Sequence, residues 1–269
     1  MTRKPLLLVA LAALALAGVG GIAFAATGVI EKYPTWTITP EDPAAQNHSG
    51  TLKFGLGNKF PNATYTVEKS ANDEEDTELL NGADGEDWFT KATPFGKAFG
   101  PTGPNAPEVN EIRYIKTRVN DSDFGSVATT TYRFKRPTPA NRLGFALSDI
   151  DVDQARITAV DAKGKAVSGK ELNGRVFNFC NVSLATLPGE CADGPSATPV
   201  PVWTKYSNGG LLRGANDASD DTEGATGWFR PTVAIKRITI AFRGQDAGSP
   251  SYRTWLAAKV RRTPRPVTG

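Results

Sequence analysis

The feature that most restricts what this chain can fold into is a two-residue hydrophobic period that recurs along most of its length. In "KRITIAFRG" Ile238, Ile240 and Phe242 share one parity; in "TTYRFKRP" Tyr132 and Phe134 alternate with Arg133 and Lys135; in "RLGFALSD" Leu143, Phe145 and Leu147 again share one parity. Successive side chains of a strand point to opposite faces, so this period predicts strands with one face buried. The same reading places strands at 35–39, 51–56, 64–68, 112–119, 155–162, 175–179, 201–206, 227–230 and 254–260. Turn-forming clusters such as "PTPANR", "DAKGKAVSG", "SNGG" and "GQDAGSPS" divide them. No apolar stripe of helical spacing follows residue 30, which disfavours parallel α/β folds because they need crossover helices. The expectation is one all-β domain over residues 33–260, an antiparallel β-sandwich of jelly-roll type. Residues 70–110 break the pattern with an acidic run, "NDEEDTELLNGADGED", and "TPFGKAFGPTGPNAP", and read as an irregular excursion.

Ahead of the sandwich, Arg3 and Lys4 precede an uncharged Leu- and Ala-rich run that ends in Ala23-Phe24-Ala25. This pattern predicts a secretory signal over residues 1–25, cut between Ala25 and Ala26. The alternative is an uncleaved membrane anchor, since about 20 apolar residues span a bilayer. Without Arg3 and Lys4, 29 basic residues remain against 28 acidic ones, so nucleic acid is not an expected partner. A membrane is expected as a partner only through an uncleaved N-terminal segment. The two cysteines, Cys180 and Cys191, are separated by ten residues that include Pro188 and Gly189. In an oxidising compartment such a pair closes a short loop as a disulfide. The competing metal site would need more soft ligands, and the single histidine, His48, is remote in sequence.

The segment "TTTYRFKRPTPANRLGFALSDIDVDQARITAVDAKGKAVSG" and the later "NDASDDTEGATGWFRPTVAIKRITIAFRG" together resemble the jelly-roll, galactose-binding-like modules of secreted bacterial cell-surface proteins. The resemblance runs over about residues 112–260 and consists of an aromatic-Pro strand end, "F-x-L-x-DID", "DAKG" and an "I-x-I-x-F" strand. It implies a surface module, with carbohydrate binding or adhesion as functions by analogy. The chain ends in a basic, Pro-containing tail at 261–269 without an apolar segment. Free secretion or N-terminal membrane retention is therefore expected rather than covalent wall anchoring.

Asp149, Asp151 and Asp153 follow the apolar "FAL" at every second position. On one continuous strand they would share the face of Phe145 and Leu147, where bare carboxylates are costly. The strand should therefore end or bend near Asp149. A loop of carboxylates and carbonyls suits Ca²⁺, which takes six to eight oxygens, although the Gly and terminal Glu of an EF-hand are missing. The alternative is a solvated strand end with Asx-type turns. A second acidic loop offers Asn216, Asp217, Asp220, Asp221 and Glu223 between Gly214 and Gly224, again as a calcium loop or a hydrophilic hairpin. Aromatic rings that stack on sugars are candidates for ligand binding. Trp88, in the excursion, and Trp228, beside an acidic loop, are the two kept as ligand-binding candidates, whereas Trp203 and Trp255 fall in strands and read as core, with Trp36 also a candidate; a place in the core is the favoured reading for each.

Catalytic sets are thin. A Ser-His-Asp or Cys-His arrangement would rest on His48 in "AAQNHSG", and "GLGNKF" has neither phosphate-loop nor dinucleotide spacing. The sequence therefore predicts a secreted, non-catalytic extracellular module that binds glycan or another cell-envelope polymer. A carbohydrate-active enzyme, which needs only two suitably spaced carboxylates, and a structural envelope protein are the alternatives.

Overall fold

The computed structural model describes residues 29–70, 77–81, 93–100, 112–119, 126–150, 152–178, 200–215, 224–244 and 250–261. In chain order the strands are β1 (Val29–Lys32), β2 (Thr35–Trp36), β3 (Asn47–Lys53), β4 (Ala63–Lys69) and β5 (Thr77–Asn81). They continue with β6 (Arg113–Arg118), β7 (Val127–Phe134), β8 (Leu143–Ser148), β9 (Gln154–Asp161) and β10 (Gly174–Asn178). The last five are β11 (Val202–Tyr206), β12 (Gly209–Arg213), β13 (Ala225–Phe229), β14 (Ile235–Arg243) and β15 (Ser251–Arg261). Two short helices, α1 (Pro94–Phe99) and α2 (Gly169–Leu172), accompany them.

All pairings are antiparallel, and the strands form two sheets. One runs β11-β12-β9-β14-β7-β4-β3-β2; the other runs β10-β13-β8-β15-β6-β5, with β1 added to the end of β15. The chain crosses from sheet to sheet at each step from β6 to β10 and again from β12 to β15. In the first sheet β14 lies between β7 and β9, and in the second β13 lies between β8 and β10. Late strands thus insert beside early ones, the nested winding of a jelly roll.

Alternation explains the register of the central ladder. Ile238 stands between Tyr132 and Ala159, Ile240 between Thr130 and Ile157, and Phe242 between Ala128 and Ala155. These side chains meet Leu143, Phe145, Leu147 and Leu256 of the opposite sheet in one core. Burying such a set supplies about 25 cal/mol per Å² of apolar surface, and the two sheets provide each other with that cover.

The second sheet departs from the expected one-sided pattern. Every residue of β8 and β13 is buried, and so are the first eight of β15. A second cluster explains this: Phe95 and Phe99 of α1 cover Tyr114, Ala146, Trp228, Trp255 and Ala257 on the outer face. Thr93 caps α1, its hydroxyl accepting from the Gly96 N–H at 2.9 Å, and Pro94 opens the helix with its fixed φ. With six and four residues, α1 and α2 are too short to show an apolar stripe. The excursion at 70–110 therefore contains an edge strand, β5, and the lid of a second core. Strand β1, just before the expected domain start, pairs with the end of β15.

Phe99 lies flat against Gly144, where a Cβ would come within 2.5 Å of the ring. Gly144→Val should therefore lift α1 at a cost of about 1–3 kcal/mol. Urea unfolding together with near-ultraviolet dichroism checks this; an unchanged midpoint would show that the helix adjusts freely.

Candidate functional site

Two members of the aspartate triplet, Asp149 and Asp153, fall among the described residues, and both are buried. Strand β8 ends at Ser148 as expected, and Asp149 takes a left-handed conformation at φ 66°, which Asp tolerates better than most residues. Its side chain turns inward. Oδ2 accepts from Ser251 Oγ at 2.6 Å and lies 3.0 Å from Arg253 Nη1, with Asp149 7% and Arg253 0% exposed. Ile150 and Val152 are buried, and the carbonyl of Asp153, itself 4% exposed, accepts from the Gly214 N–H at 2.8 Å. A solvated strand end is thus incorrect for Asp149 and Asp153, because a buried arginine from β15 balances the first carboxylate. Among the described residues no group of three or more His, Cys, Asp or Glu is arranged to hold a metal ion. Asp151, Asn216, Asp217, Asp220, Asp221, Glu223, Cys180, Cys191 and Trp88 lie outside the described residues, as does the expected signal at 1–25.

For Trp228 the core reading holds and the ligand-stacking one does not. It is 5% exposed, with Phe95 and Phe99 edge-on to it at 6.2 and 6.5 Å. The Arg175 guanidinium stands 5.3 Å from its ring centre. Helix α1 occupies the surface that a sugar would need, so Trp228 is core. Trp255 packs on Tyr114 at 4.8 Å, and Trp203, partly buried, packs edge-on to Phe229 at 4.9 Å. His48 belongs to β3 rather than to a loop and is 2% exposed. Its Nδ1 is 3.2 Å from the Pro40 carbonyl, which can only accept, so Nδ1 carries the proton.

A different place gathers the chemistry. A cleft of about 490 Å³ opens where β2, the outer strand of one sheet, approaches β5, the outer strand of the other. Trp36, Glu41, Thr77, Glu78, Leu80 and Arg113 are among the residues that line it. The Thr77 N–H donates to the Pro43 carbonyl at 2.9 Å and stitches the two walls together. Behind the cleft, Trp36 meets Tyr65 and Tyr132 edge-on at 5.5 and 6.2 Å. The Tyr65 hydroxyl donates to the Thr37 carbonyl at 2.8 Å and holds that wall in place. Burial pushes the phenols of Tyr65 and Tyr132 well above their usual range, so both stay neutral donors at physiological pH. Trp36 Nε1 and Thr77 Oγ1 are buried and have no hydrogen-bond partner among the described residues.

No family model and no curated protein matches this chain. Among solved structures, the N-terminal domain of the Streptococcus gordonii adhesin Sgo0707 matches it at a TM-score of 0.35 and 10% identity. That match covers 85% of this chain and 62% of the adhesin domain. A likeness at this level carries no argument about fold or activity.

The cleft was hidden in the sequence by dispersion. Its walls come from residues 36–43, 77–80 and 113, and only the strand pairing makes them neighbours. One local signal existed: "TELL" inside the acidic run places Thr77 and Leu79 on one parity, as a strand would.

Proposed function

We propose that the protein is a secreted, non-catalytic extracellular module that binds a glycan of the cell surface through the cleft between β2 and β5. One observation carries this reading: the outer strands of the two sheets and the segments beside them wall one cleft of about 490 Å³, with Trp36 and Thr77 in its wall, that mixes apolar and polar side chains. The rest of the wall suits a sugar, with Ile38, Leu79 and Leu80 offering apolar surface and Glu41, Glu78 and Arg113 offering acceptors and donors.

Calorimetric titration across neutral oligosaccharides and wall polysaccharides tests the reading. Arg113→Met and Glu41→Gln, which each remove the charge of an exposed side chain in the cleft wall, should each weaken binding about tenfold, the effect of losing one hydrogen bond to a charged group. A panel without any ligand, or variants that bind as the parent does, would sink it. The second reading, a carbohydrate-active enzyme, rests on Glu41 and Glu78 lining one cleft from different segments. Reducing-sugar release that disappears in Glu78→Gln would favour it over simple binding.

A further inference from the structure

A second depression, of about 700 Å³, lies on another part of the molecule and is lined by Lys165, Lys170, Lys205, Ser168, Ser207 and Thr232, with Glu171 and Asn173 completing its wall. Three separate segments bring the lysines together. The turn after β9 is pinned by Asp161, whose Oδ1 accepts from the Lys163 and Lys165 N–H groups at 2.8 and 2.9 Å. Helix α2 presses on the β11–β12 hairpin so closely that a Cβ on Gly169 would meet the Gly209 carbonyl at 2.4 Å and Lys205 Cα at 2.9 Å. This contact sets Lys170 beside Lys205. The loop after β13 is tied in by the Thr232 N–H, which donates to the Glu171 carbonyl at 2.8 Å, and by Asn173 Nδ2, which donates to the Arg230 carbonyl at 3.3 Å.

The charges of the depression do not cancel. The one carboxylate in its wall, Glu171, is held at the helix start, where Oε2 accepts from the Ser168 N–H at 2.9 Å and from Ser168 Oγ at 2.8 Å. Those hydrogen bonds, backbone first, keep its carboxyl below the usual range. Lys165, Lys170 and Lys205 are all exposed and form no ion pair with a described residue. Against three ammonium groups stand Glu171 and, bordering the depression, Asp161, both engaged by hydrogen bonds, which leaves a local excess of positive charge in a chain whose 31 basic and 28 acidic residues nearly balance. The Ser207 hydroxyl adds a further donor at the rim, while the Thr232 hydroxyl donates to the Glu171 carbonyl at 3.2 Å.

We propose that this depression binds the phosphate group of a phosphorylated polymer or lipid of the cell envelope, the three lysines surrounding it. A phosphate offers three acceptor oxygens and a charge of about −1.5 to −2 as a monoester, enough to engage three point-charge donors. A carboxylate has two oxygens and a single charge and leaves one lysine unanswered. The inference does not rest on the β2–β5 cleft.

The test is calorimetric titration of inorganic phosphate and of acetate into the whole secreted chain at low ionic strength, repeated on the triple variant Lys165→Gln, Lys170→Gln, Lys205→Gln. Phosphate should bind more tightly than acetate, weaken as salt is added, and lose at least about tenfold in the triple variant. The variant's unfolding midpoint in phosphate-free buffer confirms that it is folded, since all three side chains are exposed. Co-sedimentation with a polysaccharide bearing phosphate monoester groups, and separately with vesicles of phosphatidic acid in phosphatidylcholine, tells polymer from lipid; loss of either association in the triple variant supports the site. Equal affinity for phosphate and acetate, equal binding by parent and triple variant, or no phosphate binding would overturn the proposal.

Discussion

Replacing Asp149 by asparagine should destabilise the domain by roughly 3–5 kcal/mol, the range seen when one partner of a buried ion pair is removed. Asparagine keeps the size and accepts the left-handed backbone at φ 66°, so backbone strain does not enter. What changes is the charge opposite Arg253, which is fully buried in the middle of the second sheet with Asp149 Oδ2 3.0 Å from its Nη1. A fully buried guanidinium that loses the anion 3.0 Å away gives up that neutralisation where water cannot replace it. The companion result separates this cause from loss of the Ser251 hydrogen bond. Arg253→Met alone leaves Asp149 buried and should also be costly, whereas the double variant Asp149→Asn, Arg253→Met should recover much of the loss. Equilibrium urea unfolding of the four proteins gives the coupling energy. Additive effects, or a loss under about 1 kcal/mol in Asp149→Asn, would mean the pair is screened as a surface bridge is.

The same pair shows where sequence reasoning reaches its limit. The alternation of β7 and β14 was legible because packing between two sheets imposes it residue by residue, and the end of β8 at Asp149 followed from the cost of carboxylates beside Phe145 and Leu147. The partner was not legible, because Arg253 reaches Asp149 only through the pairing of β15 with β8, which sets Arg253 beside Ser148. The cover on Trp228 was not legible for a related reason. Its neighbours Arg230 and Glu223 make the segment look like a loop edge, while its cover, Phe95 and Phe99, comes from a stretch too short to announce a helix. Strand β5 was masked by acidic residues on both sides, since an outer strand needs only one apolar parity and one neighbour, here β6. Both depressions are assembled from segments whose approach depends on tertiary contacts, so no local spacing could encode them.

Above pH 10 the domain should lose stability at up to about 5 kcal/mol per pH unit, and its buried tyrosines should titrate only as it unfolds. Burial is the main cause that raises the phenols of Tyr33, Tyr65, Tyr132 and Tyr252, the last to about 12, with Glu31 adding to the effect at Tyr33. Below the ordinary phenol value near 10 both folded and unfolded chains keep these protons, so the stability is fully present. As pH rises past 10 the unfolded chain releases them while the folded one retains them, and each such group costs about 1.4 kcal/mol per pH unit. The loss ends only when pH has risen through the folded values, the first of them that of Tyr252. Recording tyrosinate absorbance at 295 nm and far-ultraviolet dichroism on the same samples checks this. The part of the absorbance that belongs to these four phenols should rise together with the loss of dichroism, and Tyr132→Phe should lower the slope by about a quarter, since one of four protons is gone. Four phenols ionising near pH 10 with the dichroism intact would contradict it. Because Tyr65 and Tyr132 stand behind Trp36, and Tyr65 also fixes the Thr37 carbonyl, the β2–β5 cleft cannot outlast these protons: tryptophan fluorescence and any cleft-bound sugar should be lost in the same step.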